Sequence, residues 1–173
     1  MLFRRLTRTL DRRMLALLAA PDELTLAGPF SVNLNVASIL AQEFVRFDAA
    51  LPNALRNRVI LDLSPADILA DPAAFLFARD FAHDRGYALA LHGVSADIVD
   101  QLPRRVMGLE WLSLRWSEAL YRADHGAIMA DAESLVLTHA HTQAAINWGV
   151  ARGITMFEGR VVSAALRGVP RGA

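Results

Sequence analysis

The 173-residue chain contains no cysteine and no lysine, and all 18 of its basic residues are arginine. Without cysteine there are no disulfides, thiolate metal sites or thiol catalysis, and the composition is compatible with the cytoplasmic location that we expect. Without lysine there is no amine to form a Schiff base, act as a general base or clamp a phosphate. Any chemistry in this chain therefore depends on carboxylates, histidines, hydroxyls and arginines.

The chain also lacks net charge, low-complexity segments and a long apolar run. Because the formal net charge is zero, no global field attracts a nucleic acid polymer. No run of about 18 apolar residues is present, so we expect no membrane span. With 54% hydrophobic and 21% charged residues, the composition is that of a folded protein. We expect a single domain over residues 1–168 and a flexible tail over residues 169–173.

The first segment, "MLFRRLTRTLDRRMLALLAA", carries five arginines in its first thirteen residues. A basic membrane-surface anchor or a transit peptide would have such a composition. The apolar residues follow helical spacing, however, and the stripe continues into the rest of the chain. We interpret the segment as a helix that packs on the core and exposes an arginine-rich face.

Six apolar segments have the pattern of buried strands, at residues 30–36, 58–64, 87–93, 109–116, 134–140 and 154–159. Helices are predicted at residues 37–51, 71–86, 95–102 and 142–153, with helix or loop over 117–133. The alternation, at a period of about 25 residues, indicates βα units, a parallel sheet and the α/β class. The pattern leaves a barrel and an open sheet both possible. In either arrangement, function is expected where strands end and βα loops begin.

The order of several motifs resembles that of the EAL domain family, the cyclic di-GMP phosphodiesterases built on a (β/α)8-type barrel. A helix "LDRRMLALL" precedes "SVNLN", similar to the family's "SVNLS", and "LDLSP" at 61–65 resembles "LEITE". "GYALALHGVS" at 86–95 is similar to "GVxIALDDFG", and "LSLR" at 112–115 to "LKID". "LVLTHAHT" at 135–142 resembles "VVAEGVET", and "EGRVVS" at 158–163 resembles "QGYYFS". The resemblance begins after the strand that carries the family's name motif, which implies an EAL-type, TIM-barrel-related fold that is incomplete or lacks its first strand.

The resemblance also implies a set of pocket positions, where the family holds divalent metals with glutamate, asparagine and aspartate side chains. Here these positions are Asn33, Asp62, His92, Gly93, Ser113, Arg115, Thr138 and Glu158. Asn33 matches the family's asparagine, and Asp62 keeps a carboxylate on a shorter stem. His92 and Gly93 stand where the family has two metal-holding aspartates.

The remaining pocket positions depart from the family as well. Ser113 replaces the lysine and Arg115 the aspartate of "KID". Thr138 replaces the glutamate of "AEG", and Glu158 the glutamine of "QG". Because Mg²⁺ needs about six ligands, mostly anionic or neutral oxygens, this set is too poor in carboxylates for a metal pair. We therefore expect that the family's hydrolysis is lost, with no catalytic residue and no cofactor.

His139 and His141 offer a different chemistry. Together with His92, from another predicted strand end, they could supply three imidazoles to a zinc ion with an open fourth position, as in a zinc hydrolase. The alternative is that they are polar residues of a βα loop, each with a backbone partner. Three assured ligands are needed before such a motif indicates a metal, so we favour the loop interpretation.

Three functions follow from these residues. The first is a non-catalytic module that binds another protein in bacterial second-messenger signalling. The second is a metal-free receptor for cyclic di-GMP, with Arg115 and Arg160 pairing with phosphate, although the negative charge of Glu158 opposes it. The third is the zinc hydrolase. Because an opened barrel exposes strand edges, we also expect self-association.

Overall fold

The structure, a computed structural model, describes residues 2–19, 29–122, 126 and 131–162. The predicted tail over residues 169–173 lies outside the described residues. The described residues form two compact units: one comprises the chain up to Leu91 together with Arg105–Leu109, and the other comprises His92–Arg104 and the chain from Glu110 onwards. The single domain expected over residues 1–168 stays a prediction.

All six predicted strands are present. They are β1 (Phe30–Asn33), β2 (Val59–Leu63), β3 (Ala88–Val94), β4 (Trp111–Arg115), β5 (Leu135–Thr138) and β6 (Met156–Phe157). Their order in the sheet is their order in the chain. The described pairings, β1–β2, β2–β3, β4–β5 and β5–β6, are all parallel. The predicted α/β class and parallel sheet are therefore confirmed.

Helices follow the strands, as expected of βα units. Their bounds are α1 (Leu2–Leu18), α2 (Val36–Ile39), α3 (Gln42–Ala50), α4 (Asn53–Arg56), α5 (Pro65–Ala70), α6 (Pro72–His83), α7 (Ala96–Val99), α8 (Arg104–Met107), α9 (Glu118–Arg122) and α10 (Gln143–Val150). A 3₁₀ turn spans Ala132–Ser134. Among the described residues, no helix has the length and apolarity needed to cross a membrane.

The prediction of one helix over residues 37–51 was wrong, because the segment divides into α2 and α3. Leu40 is the C-cap of α2, and Ala41, the N-cap residue of α3, adopts an extended conformation with φ −87° and ψ 156° that separates the two helices. The helix predicted over residues 71–86 was nearly correct. Asp71 accepts a hydrogen bond from the N–H of Ala74, and Pro72 occupies the first helical position, a combination that favours helix initiation.

In the first unit, an aromatic cluster fills the space between α3 and the strands. The rings of Phe44 and Phe47 lie 5.7 Å apart between centroids, and the rings of Phe44 and Tyr87 lie 5.4 Å apart. All three residues are buried. Helix α1 also packs on α3 and places Leu15, only 1% exposed, in this core. Helix α1 packs on the core as expected, but the prediction that its apolar stripe makes this contact was wrong, because Leu6, Leu10 and Leu17 are exposed.

In the second unit, β4 and β5 supply a leucine core beneath α10. Leu112, Leu114, Leu135 and Leu137 are fully buried. Helix α10 packs closely against Phe157 at Gly149. A Cβ at this position would lie only 2.6 Å from Cε1 of Phe157, so the absence of a side chain permits the close packing. Trp148 of this helix is buried as well.

A charged network surrounds the one hydroxyl of the first unit's aromatic cluster. The phenol of Tyr87 donates to Oδ1 of Asp48 at 2.8 Å. The same carboxylate pairs with Arg56 at 3.0 Å and with Arg85 at 3.2 Å. Burial, reinforced by the hydrogen bond to the Asp48 carboxylate, raises the pKa of Tyr87 well above its usual range.

We predict that Tyr87→Phe lowers the free energy of unfolding by about 1 kcal/mol at pH 7, because one buried hydrogen bond is lost. Since the folded state raises the phenol's pKa, its contribution is complete below the unfolded-state pKa of about 10 and declines as pH rises above it. Urea unfolding followed by circular dichroism between pH 7 and pH 11 measures both effects.

The matched control is Tyr121→Phe, which changes the exposed tyrosine on α9. This control should keep the alkaline loss of stability, whereas Tyr87→Phe should reduce it. Equal alkaline slopes for the wild type and Tyr87→Phe would contradict the assignment.

Candidate functional site at the carboxyl ends of the strands

In the first unit, the candidate residues Asn33 and Asp62 are neighbours at the ends of β1 and β2. They are aligned in the parallel register, and the N–H of Leu34 donates to the carbonyl of Asp62 at 3.0 Å. Asn33 is exposed, while Asp62 is 8% exposed. This strand end therefore presents one amide and one carboxylate.

The loop that follows Asn33 is held by a carboxylate from α1. Oδ2 of Asp11 accepts from the backbone N–H of Asn35 at 2.9 Å, from its Nδ2 at 2.6 Å, and from the hydroxyl of Ser38 at 2.6 Å. Asp11 is 7% exposed, so it is a buried carboxylate with one oxygen that accepts three hydrogen bonds. It thereby satisfies the N–H of Asn35, the residue that precedes α2, and places a negative charge at the N-terminus of that helix.

A second carboxylate, on Asp67 of α5, reaches the same helix start and accepts from the N–H of Val36. The N–H of Asp67 in turn donates to the hydroxyl of Ser64, which caps α5. The sequence signal for this cap is "SPAD", with serine followed three residues later by a carboxylate. The carboxylates of Asp11 and Asp67 are therefore both engaged at the start of α2.

In the second unit, the candidate residues Gly93 and Arg115 lie against each other. Gly93 has φ +69°, and a Cβ at this position would lie 3.9 Å from Nη2 of Arg115. Arg115 is exposed, and none of the described carboxylates forms an ion pair with it. An uncompensated guanidinium thus stands at the position where the motif comparison expects an aspartate.

The other candidate residues of this unit described here, Ser113, Thr138 and Glu158, lie on β4, on β5 and just after β6. Thr138 is aligned with Arg115 in the β4–β5 register, and its hydroxyl donates to the carbonyl of Leu114 at 3.1 Å. Ser113 and Arg115 share one face of β4, since side chains alternate along a strand. Glu158 follows β6 with an exposed side chain.

The two histidines of "THAHT" lie just beyond the end of β5, in the loop that precedes α10. His139 has φ +58°, a left-handed conformation that is uncommon for a residue other than glycine. Both side chains are exposed, and the ring centroids are 5.7 Å apart. Both histidines lie in the βα loop, because the strand ends at Thr138.

Hydrogen bonds assign different tautomers to the two rings. The hydroxyl of Thr138 donates to a carbonyl, so its contact with Nδ1 of His139 at 3.3 Å places the proton on that nitrogen. Nδ1 of His141 instead accepts from the backbone N–H of Arg160 at 3.2 Å. A histidine bound to a metal through one nitrogen usually donates from the other, so the bond to Arg160 opposes ligation by His141.

No group of three histidine or acidic side chains in the described part of the chain is placed to hold a metal ion. That finding includes His92, His139 and His141, all of which are described. The three-histidine zinc hypothesis therefore has no supporting geometry.

Comparison with known proteins gives a fold but no close relative. No protein-family profile and no curated protein match the sequence. Among solved structures, the chain is similar to the S helix–GGDEF–EAL portion of LapD from Vibrio cholerae, with a TM-score of 0.64 and 13% identity over 91% of this chain and 42% of that one. It is also similar to BlrP1 from Klebsiella pneumoniae in a manganese and cyclic di-GMP complex, with a TM-score of 0.61 and 17% identity over 88% of this chain and 43% of that one.

A third similar structure is the PaMucR phosphodiesterase in complex with cyclic di-GMP. The TM-score is 0.61 and the identity 17%, over 90% of this chain and 76% of that one. The chain has the fold of an EAL domain. It spans less than half the length of the LapD and BlrP1 chains.

The EAL fold confirms the TIM-barrel-related architecture expected from the motifs. The described residues supply six strands of one sheet. At identities of 12 to 18%, the similarity establishes the fold, whereas function depends on the side chains.

Those side chains do not fit the metals of an EAL phosphodiesterase. The strand ends of the first unit offer one amide and one carboxylate, and the candidate positions of the second unit offer one carboxylate, Glu158, together with the guanidinium of Arg115. Hard divalent cations need several oxygen donors with net negative charge. No hydrolytic step can therefore be derived through a metal pair.

Gly159, part of the predicted "EGR" motif, marks the tightest backbone approach at the second unit's strand ends. The N–H of Ala140 donates to the carbonyl of Glu158 at 3.0 Å, which draws the two loops together. A Cβ on Gly159 would overlap the carbonyl of Ala140. Since backbone atoms form this contact, the neighbour cannot turn aside as a flexible side chain would.

We predict that Gly159→Ala lowers the free energy of unfolding by about 3 kcal/mol, the upper range for overpacking. Gly86→Ala serves as the control, because Gly86 has φ +83° but no atom within 4 Å of its Cβ position. Only the cost of the left-handed conformation, about 1 kcal/mol, applies there. Chemical denaturation of both variants gives the difference, and equal losses would contradict the close approach.

Proposed function

We propose that this chain is a catalytically inactive EAL-like module that regulates bacterial second-messenger signalling from the cytoplasm by binding another protein. The observation that carries the proposal is the guanidinium of Arg115, which lies against Gly93 and has no ion pair among the described residues. The family resemblance implies a metal-holding aspartate at the position of Gly93 and the aspartate of "KID" at that of Arg115. A permanent cation in place of carboxylates repels a dication. Without metal-dependent hydrolysis, the function that we propose for the folded surface is binding of a partner.

Two further carboxylates of the first unit are already engaged within that unit. The carboxylate of Asp11 is occupied by three donors from Asn35 and Ser38, and that of Asp67 by the start of α2. Releasing either one for a metal would leave a helix start without its cap, at a cost of about 1 kcal/mol per cap. Two-metal hydrolysis also requires ions roughly 4 Å apart, which one carboxylate per strand-end cluster does not support.

The similar structures indicate the signalling system. BlrP1 is bound to manganese and cyclic di-GMP, PaMucR is a phosphodiesterase bound to cyclic di-GMP, and LapD was solved both without and with cyclic di-GMP. An EAL fold without metal ligands fits this system as a regulator of other components. Another protein is the proposed partner, and a second copy of this chain is the alternative.

We expect no linearisation of cyclic di-GMP by the purified chain in the presence of Mg²⁺ or Mn²⁺. The assay is chromatographic separation of cyclic and linear dinucleotide, with PaMucR phosphodiesterase as the positive control. Turnover that disappears in Asp62→Asn, at the remaining carboxylate of the first unit's strand ends, would overturn the proposal.

A metal-independent cyclic di-GMP receptor is the second candidate, and it is favoured by one specific observation. Arg115 is exposed and lacks an ion-pair partner among the described residues, and Arg160 is exposed beside the same strand ends. Guanidinium groups pair with phosphate through two parallel hydrogen bonds. The exposed carboxylate of Glu158, next to Arg160 in the chain, opposes the binding of an anion.

Titration calorimetry with cyclic di-GMP in EDTA decides between the two candidates. The interaction module predicts no heat of binding. The receptor predicts binding that weakens by about tenfold or more in Arg115→Ala, since a charged hydrogen-bonding pair contributes roughly 1.5–3 kcal/mol. Arg122→Ala is the matched control, because Arg122 is an exposed arginine paired with Glu118 on α9.

A further inference from the structure

One face of α1 is apolar and exposed. Leu6, Leu10 and Leu17 are 57%, 55% and 65% exposed, and Arg13 between them is also exposed. These four residues, named here the leucine stripe, follow spacings of four, three and four, so they lie along one line of the helix. Leu15 and Asp11 lie on the opposite face and are buried. The leucine stripe therefore faces away from the core of the first unit.

Spacings of four and three residues are those of the a and d positions of a heptad, the seam through which two helices pack side by side. A leucine stripe of this kind matches a partner helix better than a flat or irregular surface. Arg13 occupies a seam position, and a charged residue there selects among partners because it must face a compatible group.

The positive charge of α1 favours a partner with negative charge. The helix carries five arginines and one aspartate. That aspartate, Asp11, is consumed by its three hydrogen bonds, and Arg12 is partly compensated by Glu43 at 3.2 Å. Arg13 has no ion pair among the described residues. The exposed face of Leu6, Leu10 and Leu17 is therefore apolar. Arg13 within it carries a positive charge that has no ion pair among the described residues.

Two other occupants fit less well. In a parallel pairing of two copies, Arg13 would face the same residue of the second chain, and the like charges would oppose association. A membrane surface requires a broad apolar face, because an interfacial helix buries that face in the acyl boundary. The leucine stripe is narrow and has an arginine in its middle, which does not suit burial in lipid.

We propose that the leucine stripe docks an acidic amphipathic helix of another protein, with apolar residues on the leucines and a carboxylate facing Arg13. The inference rests on the proposed function as an interaction module and names the surface and the chemistry of its partner. It does not depend on the strand-end residues.

The test uses two synthetic helical peptides of about three heptads, acidic outside the seam and with leucine at their seam positions. They are identical except at the central seam position, which is glutamate in one and lysine in the other. Fluorescence anisotropy with the full chain should show about tenfold tighter binding of the glutamate peptide, a difference of about 1.4 kcal/mol. Arg13→Glu should reverse the preference, and Leu10→Asp should abolish binding of both peptides.

Leu69→Asp is the matched control, because Leu69 is an exposed leucine on α5, outside the leucine stripe. It should leave both affinities unchanged, and circular dichroism verifies that every variant is folded. Equal affinities for the two peptides, or a preference that Arg13→Glu does not reverse, would overturn the proposal. So would binding of phosphatidylglycerol vesicles, or a dimer in sedimentation, that Leu10→Asp abolishes while neither peptide binds.

The outcomes are independent of those for the proposed function. Turnover of cyclic di-GMP with intact peptide selectivity would overturn the interaction-module proposal and leave the docking site standing. Loss of peptide selectivity in a chain without turnover would overturn the docking site alone.

Discussion

The parallel register of the strands is the constraint on which the candidate site depends. It places Asn33 beside Asp62 in one unit and Arg115 beside Thr138 in the other, because parallel strands bring their carboxyl ends to the same edge. The ladder is formed by backbone groups, so it tolerates any side chain that packs. This independence of the backbone ladder from side-chain identity explains how the EAL fold can persist at 12 to 18% identity.

The acidic residues of the first unit stabilise helices that are too short to be stable by themselves. Helix α2 has only four residues, too few to be stable by propensity, and carboxylates from α1 and α5 satisfy its first N–H groups. Asp71 caps α6 in the same way, and Asp48 joins Tyr87 to two arginines. The hydrogen bonds that these carboxylates accept hold them in fixed positions. They therefore stabilise the fold rather than bind an exchangeable ligand.

Sequence reasoning succeeded where local signals are strong and failed where distant partners decide. The six strands were predicted because buried parallel strands are continuous apolar runs, and α6 because its aspartate, proline and glycine mark both ends. The break between α2 and α3 was missed, since no proline or glycine lies at Ala41. Helix α5 was missed although serine, proline and aspartate at its start are a recognisable capping signal. The hydrogen bonds of the candidate strand-end residues were not predictable from the sequence.

The sequence by itself determined the α/β class, the positions of the six strands along the chain and the chemical repertoire, because period, punctuation and residue type are properties of short segments. It also determined that no thiol or lysine amine takes part. Only the tertiary structure decided which groups are already engaged: the carboxylate of Asp11 is bound by Asn35, 24 residues away, and Nδ1 of His141 accepts from an N–H 19 residues away. The physical reason is that a side chain's hydrogen bonds depend on neighbours in space, which folding alone brings together.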